Sequence, residues 1–141
     1  MSDLYSDILL DHYRLPRNKG KLPDETLAVE GKNPLCGDEL TLHLKLDGDR
    51  VVDIRFEGNG CAISMASASM LTEDLKGRTV AEVERRVEQF RALIRDGKEP
   101  EGEPLDDLAS LAGVAQLPVR VKCATLAWTT LEQGLLQVKR S

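Results

Sequence analysis

The spacing of apolar residues changes along the chain and divides it into elements. In SDLYSDILLDHYRLP, Leu4, Ile8, Leu9 and His12 share a helical face. Ser2 or Asp3 can cap that helix, and Pro16 ends it. The polar stretch from Arg17 to Glu25 reads as a loop. The period then drops to two. Leu40, Leu42, Leu44 and Leu46 alternate with Glu39, Thr41, His43 and Lys45, and Val52, Ile54 and Phe56 alternate with Val51, Asp53, Arg55 and Glu57. Asp47-Gly48-Asp49 between them marks a hairpin. A further strand is expected at about 26–31. Such alternation fits an antiparallel sheet with one wet face, which turns His43 toward solvent.

Helical spacing returns in GNGCAISMASASMLTEDLKG, with Ala62, Met65, Ala66, Ser69 and Met70 on one face and small residues that permit close approach. TVAEVERRVEQFRALIRDG is more strongly periodic. Val80, Val83, Val87, Phe90 and Ile94 face inward, Thr79 caps the helix, and the Glu/Arg face is solvated. After the polar break KEPEGEP comes a short helix, LDDLASLAGVAQ, and then LPVRVKC, whose alternation reads as extended. CATLAWTTLEQGLLQVKR is the last helix, with Ala124, Ala127, Trp128, Leu131, Leu135 and Val138 inward and Lys139 and Arg140 suiting its C-terminal dipole. Tyr5, Tyr13 and Trp128 read as packing residues. The order predicts an α+β domain over residues 1–141: a small antiparallel sheet of about three strands with helices packed on one face.

Composition narrows the function. The 141 residues are 30% charged with a net charge of -5, and no basic run is present to neutralise phosphates, which argues against nucleic acid as the main partner. No stretch approaches the length of a membrane span, and acids occupy the N-terminus where a signal peptide would be basic, so a cytoplasmic protein is expected. Three cysteines in a reducing compartment argue against a disulfide framework. They are buried structural thiols, a catalytic thiol with bystanders, or metal ligands.

Their positions favour one shared site. Cys36 lies in the loop entering the sheet, and Cys61 and Cys123 fall where extended chain gives way to helix, which favours thiolate at the positive end of the dipole. None is expected within an element. In NPLCGDEL, an extended chain would send Cys36 and Asp38 to the same side, with Gly37 free to bend between them. That is either a ligand pair or an accident of a turn. The wide spacing of the thiols is not that of a zinc finger. A Cys/His hydrolase would need His12 or His43, the only histidines, beside a thiol.

NPLCGD, GNGCAISMASAS and LPVRVKCATLAW, in that order, resemble the three cysteine motifs of the IscU/NifU-N-terminal/SufU family of iron-sulfur cluster assembly proteins. LYSDILLDHYRLPRNKG resembles the family's N-terminal segment, so the likeness spans nearly the whole chain. Lys122 stands where IscU scaffolds usually carry histidine before the third cysteine. An extra helical segment, about 76–102, separates the second and third cysteines. Both features resemble the SufU branch, known as zinc-dependent acceptors of persulfide sulfur from a PLP-dependent cysteine desulfurase of the SufS type.

The resemblance implies a SufE/NifU-like fold, with Cys36, Asp38, Cys61 and Cys123 as zinc ligands and Cys36 as the persulfide acceptor of a sulfurtransferase-like carrier. Downstream cluster-assembly proteins would be further partners. Arg120 and Lys122 are either charge partners of that anionic site, Arg120 holding Asp38, or surface cations. The alternative is a scaffold on which the same ligands hold iron or a nascent [2Fe-2S] cluster. A purely structural zinc domain is a third reading.

Overall fold

The computed structural model describes residues 6–140. Its sheet is a meander, β1 (Leu27–Asn33), β2 (Asp38–Asp47) and β3 (Arg50–Asn59), antiparallel throughout in the order β1-β2-β3. Asp47 pairs with Arg50 across the two-residue turn, where Gly48 takes φ 61°. Leu40, Leu42, Leu44, Ile54 and Phe56 all point to the buried face, as alternation predicts. Val51 rather than Val52 joins them. Lys45 pairs with Asp53 and Leu46 with Val51, so Val52 is the extra residue of a bulge that resets the alternation. Leu46 is only half-buried.

Four helices complete the layer: α1 (Asp7–Arg14), α2 (Ala62–Leu75), α3 (Val80–Asp96) and α4 (Pro118–Arg140). Helix α1 is capped by Ser6, whose Oγ accepts the Leu9 N–H, while Ser2, Asp3, Leu4 and Tyr5 lie outside the described residues. Leu9 and His12 are buried, but Ile8 and Tyr13 are each 44% exposed, against their expected packing roles. The face of α1 is narrower than its periodicity suggests because the helix packs chiefly on α2.

Helix α2 corrects the expectation of a single buried face, since Ile63 to Thr72 are all buried. It is enclosed by β3, α1, α4 and a run of 3-10 turns, Asp106–Gln116. Its alanines and serines are what allow close approach on all sides. Ser67 is satisfied there by donating to the Ala124 carbonyl and accepting from Trp128 Nε1.

Helix α3 begins with the expected Thr79 cap, completed into a capping box by Glu82. Val83, Val87, Phe90 and Ile94 are buried, and Phe90 stacks on Trp128 of α4 at 4.3 Å between ring centroids. Its Glu/Arg face is not wholly solvated. Arg86 is 1% exposed and grips Asp74 through Nε (2.9 Å) and Nη2 (2.7 Å), a bidentate pair that compensates the buried charge.

The largest difference concerns LPVRVKC, which is helical. Pro118 opens α4 with its φ already suited to a first turn, and the amides of Arg120 and Val121 bond to the Leu117 carbonyl. Alternating valines in a short window carry the wrong period here. Ala124, Ala127, Trp128, Leu131 and Leu135 face inward as expected, and Val138 is half-buried. Helix α4 lies so close on β1 that a Cβ at Gly31 would meet Thr130 Oγ1 at 1.9 Å. Among the described residues no helix is long and apolar enough to cross a membrane.

Candidate metal centre

Two connections and a helix converge at one end of the sheet. The first is the turn Pro34 to Gly37, closed by the Asn33–Asp38 pair. The Cys36 amide bonds to the Asn33 carbonyl at 3.2 Å, and Gly37 follows in the left-handed region at φ 70°. Cys36 and Asp38 are thus brought together across a turn, not along an extended chain. Cys36 is half-buried. Asp38, the first residue of β2, is 2% exposed.

The second connection joins β3 to α2. Asp38 Oδ1 accepts the Cys61 amide at 2.9 Å, and Cys61 caps α2 by accepting the Ser64 amide on Sγ at 3.4 Å. Gly60 makes this possible, because a Cβ there would meet Asp38 Oδ1 at 2.6 Å. The third is α4. Cys123 lies in its second turn rather than at its N-terminus, fully buried. Its Sγ is 3.1 Å from Cys36 Sγ and 3.9 Å from Asn33 Nδ2.

Cys36 Sγ, Cys123 Sγ and an Asp38 oxygen lie within 4.8 Å of one another. Cys61 Sγ stands outside that spacing but flanks it through the Cys61 amide on Asp38. Burial pushes the Cys123 thiol far above the usual thiol range, and its hydrogen bond to Cys36 pushes it the same way.

The residues fit a soft divalent ion such as Zn²⁺. Asp38 Oδ2 is buried without a hydrogen-bond partner, a costly condition that a metal–oxygen bond would relieve. Cysteine sulfur with one carboxylate is a donor set that zinc accepts.

The helical course of α4 and the two histidines decide the other sequence candidates. In a helix, Arg120 and Lys122 leave different faces: Arg120 is half-buried and Lys122 exposed. His12 bonds Ser69 Oγ and Asp107 Oδ2, each at 2.8 Å. His43 is on the expected face of β2 but only 7% exposed, covered by Glu25 and Glu57. Neither histidine meets a cysteine in these bonds, so the arrangement a Cys/His hydrolase needs is not formed. Two residues of the centre were not singled out by the sequence. Asn33 opens the NPLCGD motif and Gly60 directly precedes Cys61, so only their adjacency to cysteines could have marked them.

The chain is similar to known proteins along nearly all its length. It is 44% identical over 135 residues to the zinc-dependent sulfurtransferase SufU of Bacillus subtilis, covering 96% of this chain and 91% of that one. It is 40% identical over 137 residues to the iron-sulfur cluster assembly scaffold protein IscU of Thermotoga maritima, covering 97% and 96%. A crystal structure of a candidate iron-sulfur cluster assembly scaffold protein for the SUF system, from Fervidobacterium islandicum, superposes with a TM-score of 0.84 at 36% identity, covering 92% of this chain and 94% of that one. The family model for the NifU-like N-terminal domain matches residues 4–140, and the chain belongs to that family.

Proposed function

We propose that this protein acts in iron-sulfur cluster assembly as a zinc-dependent carrier that takes persulfide sulfur onto Cys36 from a SufS-type, PLP-dependent cysteine desulfurase. Cys36, Asp38, Cys61 and Cys123 would hold the ion. The observation that carries the proposal is the buried Asp38 carboxylate, one oxygen of it without a partner, clustered with the Cys36 and Cys123 sulfurs in a chain 44% identical to a zinc-dependent sulfurtransferase. Zinc in such a site keeps thiols ionised at neutral pH and has no redox chemistry of its own with which to consume a persulfide.

The remaining chemistry belongs to the chain. Cys36 is the one cysteine on a hairpin turn, so it can approach a partner's sulfur, whereas Cys61 is held as the N-cap of α2 and Cys123 within α4. The Cys36 thiolate attacks the outer sulfur of the desulfurase persulfide. A new S–S bond forms to Cys36 Sγ as the donor's S–S bond breaks, and the electron pair leaves on the desulfurase cysteine. One persulfide anion and one thiolate are present before and after, so no external oxidant is required. Arg120 is proposed as a charge partner of the anionic centre, and Lys122 as a weaker one. The segment at about 76–102 is proposed as an addition that braces α4: it supplies Phe90 against Trp128 and Arg91 against Glu132.

Mass spectrometry tests this directly. After incubation of the zinc-loaded chain with desulfurase and cysteine, the extra sulfur is expected on the Cys36 peptide. Persulfide on Cys61 or Cys123 instead would overturn the assignment. A second reading, a scaffold for a nascent [2Fe-2S] cluster on the same residues, is favoured by the similarity to IscU of Thermotoga maritima. It requires stable cluster absorbance after anaerobic reconstitution and transfer of that cluster to an apo-acceptor.

A further inference from the structure

The cysteine sulfurs of the centre differ in their hydrogen bonding. Cys61 Sγ accepts the Ser64 amide, and Cys123 Sγ faces Asn33 Nδ2. Among the described residues, Cys36 Sγ has no N–H donor; its only hydrogen-bond partner is the Cys123 thiol. Asn33 is itself 6% exposed, so its amide is committed to the interior. The same residue holds the Cys36 turn through its backbone carbonyl and pairs with Asp38 across the strand ends. It thus touches both sides of the centre, with an acceptor to the Cys36 amide and a donor to the Cys123 sulfur.

We infer that Asn33 is a positioning residue that ranks the thiols: its Nδ2–H bond to Cys123 Sγ makes Cys123 an anchoring ligand and leaves Cys36 as the reactive sulfur. This rests on the metal-bound reading above. An N–H donor withdraws charge from a thiolate and lowers its nucleophilicity; a sulfur without one keeps its full electron density. The Ser64 amide damps Cys61 in the same way from the α2 N-terminus. The orientation of the Asn33 amide follows from the chemistry, because a thiolate has no proton to give and only the NH₂ side can face it.

Two measurements on the full chain test the inference. In the wild type loaded with an NMR-active cadmium isotope, proton–cadmium correlation across the sulfurs should show the Asn33 side-chain amide and the Ser64 backbone amide. A Ser64 signal without an Asn33 signal would overturn it, and this needs no variant to fold. In the zinc-loaded chain, limited iodoacetamide followed by peptide mass spectrometry should modify Cys36 first and Cys123 last. Asn33→Leu fills the same space without a donor, so access to Cys123 is unchanged. Its Cys123 alkylation should rise about fivefold relative to Cys36, the worth of roughly one net hydrogen bond. An unchanged ratio in folded Asn33→Leu, or wild-type Cys123 reacting before Cys36, contradicts the inference. If both results are as expected but desulfurase leaves no persulfide on Cys36, the ranking of thiols stands and only the sulfur-transfer reading falls.

Discussion

Asp38 is the residue on which the centre turns. One carboxylate oxygen is spent on the Cys61 amide and the other is buried without a partner, so the side chain is positioned by the protein and left open for an ion. Gly60 preserves that arrangement by lacking a Cβ. Gly60→Ala is therefore expected to push the carboxylate away and weaken zinc binding about 10- to 100-fold, as loss of an outer support typically does, in competition with a chromophoric chelator. Unchanged affinity would mean that Asp38 is no ligand. At this scale the cysteine motifs pointed to residues that meet in space, Cys36, Asp38 and Cys123, while Cys61, named by the same motifs, stands outside their spacing. Asn33 and Gly60 were not legible, because a contact to sulfur and a close approach of backbone to carboxylate exist only once β1, β2 and α2 are packed together.

Elements were readable where burial and period agree. The alternation in β2 and the Val83–Ile94 stripe of α3 both meet a single buried surface. The reading failed for LPVRVKC, where four alternating residues outweighed Pro118 and the 3-4 spacing from Cys123 onward. It also failed for the bulge at Val52, where one extra residue moves a side chain to the other face. Helix α4 is tied to α3 by Arg91, whose Nη1 and Nη2 reach Glu132 at 2.7 and 2.5 Å. Hydrogen bonding to Arg91 holds the Glu132 carboxyl below its usual value near 4.5. A lowered folded value means the pair stabilises above the unfolded value and stops doing so as pH falls through the folded one. In urea unfolding, Glu132→Gln should be less stable than wild type at neutral pH, with the gap closing below about pH 4. The effect is small because both partners remain partly exposed. A gap that persists in acid would assign the loss to packing.

For the whole molecule, the sheet with helices on one face followed from the order of periods alone. The shared site was expected from the placement of the thiols and from their motifs, but not its geometry: the thiols are far apart in sequence, and the packing of α4 across β1 carries Cys123 to the Cys36 turn. A centre joining β1–β2, α2 and α4 should couple metal to global stability. At zinc 100-fold above its dissociation constant the native state gains about 2.7 kcal/mol, an expected rise of roughly 5–10 °C in the unfolding midpoint over chelated protein by calorimetry. No rise would place the ion outside the folded framework. A chain that unfolds entirely on chelation would make the zinc structural.

Whether Cys36 receives sulfur is read from sulfide release by the cognate cysteine desulfurase with cysteine and a reductant, in the absence of iron. Zinc-loaded wild type should accelerate turnover at substoichiometric amounts, and folded Cys36→Ala should not. Equal acceleration by both, or by neither, would mean that Cys36 is not the sulfur acceptor.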